Sequence, residues 1–401
     1  MDNNKLTASP RTFTLRYYLN YIVIGAIAIL LAILSFAGVL PQSTLYMLEK
    51  IAMNIILAIS LSLVVGFLGE LSLGHAGFMC IGAYFSAFVA VLFDRYTALD
   101  GKGVISFLAA LVVGAVVAGL FGFLIGLPAL RLKGDYLAIV TLAFGEIVKT
   151  VFENLHIAFG EESKENPAIV NGPMGISTRN VRLDKQYLFI IAFILVLATM
   201  AVIQNLIRSK HGRAITAIRD NEIAAKATGI NVTKYKLVGF IISAAFAGVA
   251  GVLYSFGNFT VSASNFDYNY SIEILVMVVL GGMASVNGVI ISATVITYLN
   301  IQLQNILTGE LAVLKDIIYS LILIVIIIYN NAPALKNIRE KYNLKRVVDA
   351  VRAKMFPRSN HYADDDDAWS KIPTKIEMNE ILSTDIVVNE STKNPDKGEG
   401  N

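Results

Sequence analysis

Four ionisable side chains, Glu70, His75, Glu146 and Glu273, lie inside or beside long apolar runs of this 401-residue sequence. In hydrocarbon such groups mark proton or ion relays, or line a polar path between helices. Each also has a structural alternative: His75 as a hydrogen-bonded group in a tight turn near the headgroups, Glu146 and Glu273 as snorkelling or bundle-buried glutamates. Glycines crowd the first pair, at Gly66, Gly69, Gly74, Gly77 and Gly82. That combination predicts an interrupted or half-crossing helix, whose backbone polar groups must be buried in protein or line a cavity. A second glycine-rich break falls at Gly281, Gly282 and Gly288. Glu70, Ser72, Gly74, His75, Gly77, Gly281, Gly282 and Gly288 are therefore the candidate lining of a translocation path.

Other chemistries leave no trace. The chain contains no G-x-x-x-x-G-K-[ST] stretch, so no phosphate cradle is expected, and no His/Glu metal spacing or nucleophile elbow appears. The single Cys80 excludes an intrachain disulfide. No catalytic residue, metal or bound cofactor is predicted. A net charge of +3 is too small to point to nucleic acid.

The elements that must carry these residues follow from composition. The chain is 55% hydrophobic and 16% charged, with a mean hydropathy of +0.63, against roughly 25% charged residues in soluble domains. Apolar runs near the ~20 residues needed to cross a bilayer lie at 19–40, 48–66, 75–93, 104–128, 136–156, 187–206, 237–257, 271–286, 288–305 and 314–331. The expected fold is an all-α integral membrane bundle of about ten transmembrane helices. Lys5, Arg11 and Arg16 precede the first run, but its length exceeds a secretory h-region, so it is expected to stay as an uncleaved helix. If spans two to five correspond to seven to ten, the halves form inverted repeats with glycine breaks in comparable places.

Most Lys and Arg fall on alternate sides of these runs, and the opposite loops 94–103 and 157–186 balance theirs with as many acidic residues. The loop 208–236 holds Arg208, Lys210, Arg213, Arg219, Lys226, Lys234 and Lys236 against Asp220 and Glu222, whereas 41–47, 258–270 and 306–313 contain no Lys or Arg. The positive-inside rule places that loop, the N-terminal segment 1–18 and the C-terminus in the cytoplasm. Beyond the transmembrane region 19–331, residues 332–358 read as a basic juxtamembrane segment, and 359–401, which includes Asp364 to Asp367, as a disordered acidic and polar tail.

Within the loop 208–236, Asp220 or Asn221 can cap a helix, Glu222 suits its positive first turn, and Gly229 supplies a left-handed stop. Small Ala224, Ala225 and Ala227 would let another protein approach the backbone while Arg219 and Lys226 set register by charge. An ordinary connector is the alternative.

Glu222-x-Ala224-Ala225-x3-Gly229 resembles the EAA signature of bacterial ABC importer permeases. The surrounding stretch from Gly212 to Leu237 is similar to the branched-chain amino-acid permease family, in particular its LivM-like branch. Gly69 to Phe78, Leu130 to Phe144, Asn171 to Ile176 and Met277 to Gly288 resemble further blocks of that family in the same order. The resemblance implies an ABC importer permease fold in the bacterial plasma (inner) membrane, paired with a paralogous LivH-like permease. It also implies two cytoplasmic ABC ATPases that hold the ATP and Mg, and a periplasmic or surface binding protein delivering leucine, isoleucine or valine. Arg219, Glu222, Ala224, Ala225 and Gly229 would be the ATPase-coupling residues. Glu70 departs from the family, where a neutral polar residue is commoner, and so does the acidic tail.

Overall fold

The apolar runs are helices in the computed structural model, which describes residues 15–96, 104–132, 134–158, 168–181 and 183–306, together with 320, 321, 324 and 328. In chain order they are α1 (Leu15–Phe36), α2 (Gln42–Ser62), α3 (His75–Tyr96), α4 (Val104–Ala129), α5 (Asp135–Asn154), α6 (Lys185–Arg208), α7 (Lys210–Asp220), α8 (Glu222–Ala227), α9 (Val232–Gly257), α10 (Tyr268–Gly281) and α11 (Val286–Ile306). A π-helical turn, Leu63–Leu68, extends α2.

Six of the roughly ten expected crossings are both long and apolar enough to span a bilayer: Gln42–Leu68, His75–Arg95, Ile105–Ala129, Lys185–Arg208, Val232–Gly257 and Val286–Ile306. Helix α1 has 22 residues, long enough to cross. Two others among the described residues differ for physical reasons. Helix α5 carries Glu146, Lys149 and Glu153. Helix α10 has 14 residues, a rise of about 21 Å against a ~30 Å hydrocarbon layer. The last expected span, 314–331, lies outside the described residues apart from helical 320, 321, 324 and 328. So do most of 1–18 and all of 332–358 and 359–401.

Helix α9 organises the bundle, packing on α2, α3 and α4. Small residues allow the close approach: a Cβ on Gly82 would lie 2.4 Å from the Gly248 Cα, and one on Gly248 would lie 2.5 Å from the Ala118 Cβ. Small-residue seams of this kind join helices in lipid, where burying apolar surface supplies no drive. The outward face of α4 is a stripe of exposed aliphatics, Ile105, Leu108, Val112, Val116, Leu120 and Leu124, that requires apolar surroundings. The protein is a multi-pass membrane protein.

The all-α expectation needs one correction. Four two-residue strands, β1 (His156–Ile157), β2 (Val170–Asn171), β3 (Ile176–Ser177) and β4 (Thr260–Val261), pair antiparallel as β1–β2 and β3–β4. They occur where connections beyond α5 and α9 leave backbone groups needing partners.

Both glycine breaks exist. Residues 69–74 interrupt the helices between α2 and α3, and 282–285 separate α10 from α11. They are not equivalent positions of a repeat, however. An offset that matches α2 and α3 to α9 and α10 puts the counterpart of 69–74 at 258–267, whereas the glycine turn joins the next helix pair.

Candidate functional site

The loop between α6 and α9 folds as its local chemistry dictates. Ser209 caps α7 by accepting from Gly212 N at 3.2 Å, and Gly212 lies so close to the end of α6 that a Cβ there would sit 2.1 Å from Ile207 O. Asn221, one of the two expected caps, accepts from the amides of Ile223 and Ala224, each at 3.0 Å. Gly229 ends the motif with φ +84°, a conformation that costs a side-chain-bearing residue roughly 1–2 kcal/mol. The result is two consecutive helices, α7 then α8, joined at Asn221, with α8 only 6 residues long.

The faces of α8 differ from the sequence expectation. Ala225 is buried with Ile218 and Val232 in a small apolar cluster of the loop itself, and Ala224 and Ala227 are exposed. Ile223, which composition did not single out, is 80% exposed. The outward surface is thus an aliphatic knob flanked by small residues, and the buried alanine anchors the helix behind it.

Of the charges in the loop, Lys236 is buried, whereas Arg219, Asp220 and Lys226 stay at the surface. Arg219 makes a salt bridge with Asp220 at 2.9 Å and donates through Nη1 to Gly66 O at 3.1 Å. That carbonyl belongs to the π-turn at the end of α2, where intrahelical partners run out. Lys236, in the first turns of α9, donates to Glu70 and, at 3.2 Å, to Glu222. Lys226 pairs with Glu222 at 2.9 Å across one turn of α8. The Lys226 hydrogen bond is the main influence that holds the Glu222 carboxyl below the usual range, opposed by its partial burial and assisted by Lys236.

The predicted path residues fall into three neighbourhoods. Glu70 sits at the start of the break, in contact with Lys236. Ser72, Gly74, His75 and Gly77 are packed against other helices. His75 Nε2 and Ser60 Oγ are 2.7 Å apart, Leu73 N donates to Thr141 Oγ1 at 3.0 Å, and Ala76 N donates to Ser271 Oγ at 3.1 Å. A Cβ on Gly74 would lie 2.2 Å from Thr141 O, and one on Gly77 would lie 2.8 Å from the Gly145 Cα. The segment from Ser72 to Gly77 is thus enclosed largely by protein, Leu73 alone being half-buried. The Ser72 hydroxyl is buried and has no partner among the described residues.

Gly281, Gly282 and Gly288 form the third neighbourhood. A Cβ on Gly288 would lie 1.9 Å from Gly281 O, and Gly282 takes φ +89°, so the turn between α10 and α11 is tight. The two glycine breaks meet through Gly66, where a Cβ would lie 1.3 Å from Met283 O. A cleft of about 200 Å³ opens beside this contact, lined by Phe67, Gln204, Arg208 and Ser285 among others, and none of the predicted path residues line it.

The remaining charges are engaged. Glu146 accepts from Tyr268 N at 3.1 Å and approaches Lys149 at 3.7 Å, and Glu273 accepts from Asn300 Nδ2 at 2.8 Å. A polar chain that the sequence did not reveal runs from Tyr270 Oη to Asn54 Oδ1 at 2.7 Å and from Asn54 Nδ2 to Thr297 Oγ1 at 2.9 Å, tying α10, α2 and α11 together. No group of three or more His, Cys, Asp or Glu that could hold a metal occurs among the described residues.

The described residues form a multi-pass helical membrane bundle with a short capped helix displayed beside a broken-helix end. Residues 43–327 match the family model described as branched-chain amino acid transport system, permease component, and the chain belongs to that family. It is similar to the high-affinity branched-chain amino acid transport system permease protein LivM of Salmonella typhimurium, 38% identical over 60% of this chain and 59% of that protein. The LivM protein of Escherichia coli K12 is 35% identical over 67% of this chain and 65% of its own length. The match thus spans about three fifths of these curated relatives. LivH of Escherichia coli K12, a permease protein of the same transport system, is 24% identical over 65% of this chain and 87% of its own length.

Proposed function

We propose that this chain is the membrane-spanning permease subunit of an ATP-driven ABC importer for leucine, isoleucine or valine. It works without an enzymatic activity of its own. One observation carries the coupling half of this reading: α8 is capped, anchored by Ala225 and displays Ile223 at 80% exposure. An aliphatic side chain held out on a short rigid helix suits insertion into a pocket of another protein. The substrate half is supported by family membership and by the transport systems of the LivM and LivH relatives.

In this reading the loop 208–236 is cytoplasmic, as are both termini, and the bundle crosses the plasma membrane about ten times. Two ATPase subunits dock on this loop and its counterpart in a paralogous LivH-like permease. An external binding protein delivers the amino acid. Closure of the ATPases around ATP and Mg moves α7 and α8, and the two permeases alternate between outward- and inward-open states.

The test is co-purification and transport in the assembled system. Ile223→Asp is expected to leave the membrane protein monodisperse and to abolish retention of the ATPase. An ATPase-dead partner is expected to stop leucine uptake. Uptake that persists with that dead partner would make the protein an ATP-independent transporter instead. Uptake of other amino acids, amides or urea in preference to leucine would change the substrate and leave the coupling intact.

A further inference from the structure

Lys236 joins the start of α9 to the neighbouring helix α8 and to a segment remote in sequence. Its ammonium contacts Glu70, 166 residues away at the start of the helix break, and Glu222 in the first turn of α8 at 3.2 Å. The side chains of Lys236 and Glu70 are 6% and 12% exposed, whereas Lys226, the other cation on Glu222, is 59% exposed. The Lys226 pair is a surface contact of small worth. Lys236 differs, because removing its ammonium leaves the Glu70 carboxylate buried without its cation.

A second connection runs parallel to it. Arg219 of α7 donates to Gly66 O, and the Gly66 backbone lies directly against Met283 O in the turn between α10 and α11. The stem of Arg219 also covers Gly69, where a Cβ would lie 2.7 Å from the Arg219 Cγ. The two short helices, the π-turn of α2, the break 69–74 and the turn 282–285 are therefore one contiguous body, and α8 reaches it through the charge of Lys236. A displacement of α8 must carry the break with it or strip the ammonium of a carboxylate.

We infer that Lys236 is a positioning residue for transport, transmitting movement of α7 and α8 to the π-turn and the break 69–74. The inference deepens the importer reading and rests on it. Contiguous packed and hydrogen-bonded elements are the physical means by which a displacement at one site biases another. Glu70 is then the receiving end of a link from the coupling helix.

The experiment uses the complete complex in proteoliposomes, with ATP hydrolysis and leucine uptake measured in the same vesicles. Lys236→Met is expected to assemble and to hydrolyse ATP while leucine moved per ATP falls about tenfold, within the ordinary range of coupling between sites. Lys236→Arg keeps the charge and most of the reach, and is expected to retain the wild-type ratio. A double variant, Glu70→Gln with Lys236→Met, removes the buried pair together and guards against misfolding of the single variant. It is expected to show the same loss. An unchanged ratio in either neutral variant overturns the inference and leaves the importer reading standing. Failure of both to assemble also overturns it, making Lys236 a folding residue. Wild-type uptake that survives an ATPase-dead partner overturns the inference and the importer reading together.

Discussion

The two ends of α9 are held by different chemistry. At its start, segments far apart in sequence meet through charged side chains: Lys236 on Glu70 and Glu222, and Arg219 on Gly66 O. At its other end, 26 residues or about 39 Å away, they meet through main chain. There β3 pairs with β4, Thr178 N donates to Phe259 O at 3.0 Å, and the Thr178 hydroxyl donates to Asn258 O at 2.7 Å. Main-chain pairing fixes one register and titrates with nothing. Charged side chains on long stems can exchange partners. A region that must move while staying connected benefits from the second kind of joint, and a region that must stay shaped benefits from the first.

The severest break is expected where backbone meets backbone at either end. Gly66→Ala at one end and Gly175→Ala at the other would place a Cβ 1.3 Å from Met283 O and 1.9 Å from Val261 O. Each is expected to destabilise the detergent-solubilised protein by about 3 kcal/mol or more, read as a fall in thermal midpoint and loss of the monodisperse peak. Equal severity at the two ends would confirm that close packing is common to both and that only the polar joints differ.

Smaller changes separate the ends. Asn221→Ala removes the cap of α8 and is expected to cost about 1 kcal/mol, seen as faster amide exchange confined to residues 222–229 and weaker retention of the proposed ATPase partner. Thr178→Val removes the Asn258 contact and is expected to cost about 1 kcal/mol, with ATPase retention unchanged. If Thr178→Val weakened ATPase retention as much as Asn221→Ala, the distinction between the ends would collapse.

The smallest effect is one of pH. Because the Glu222 carboxyl is held below its ordinary value of 4.5, its contribution is fully present above that value and is lost as pH falls through the lowered one. Relative to Glu222→Gln, the wild type is expected to be more stable by at most about 1 kcal/mol at neutral pH, and the gap should close in strong acid. The main-chain joints at the far end predict no such term for Thr178→Val.

Local rules made much of the site readable. A cap, a first-turn glutamate and a left-handed glycine act within one or two helical turns, so Asn221, Glu222 and Gly229 take the conformations their types require. Apolar run lengths likewise marked the helices, and glycine clustering marked both breaks. The inward turn of Ala225 was not readable, because the side of α8 that is covered depends on where Ile218 and Val232 lie. Exposure of Ile223 follows from the same choice.

The amino-acid sequence by itself determined that this protein is a set of membrane-length helices with two glycine breaks and a capped helix in its most basic loop, since hydrophobic length, backbone freedom and capping are local properties. Only the tertiary structure decided that Gly66 lies on Met283 and that Lys236, one of seven basic residues in its loop, is the one buried between Glu70 and Glu222. Such pairings depend on how helices distant in sequence pack, and nothing in the spacing of residues along the chain encodes which charge will be brought to which.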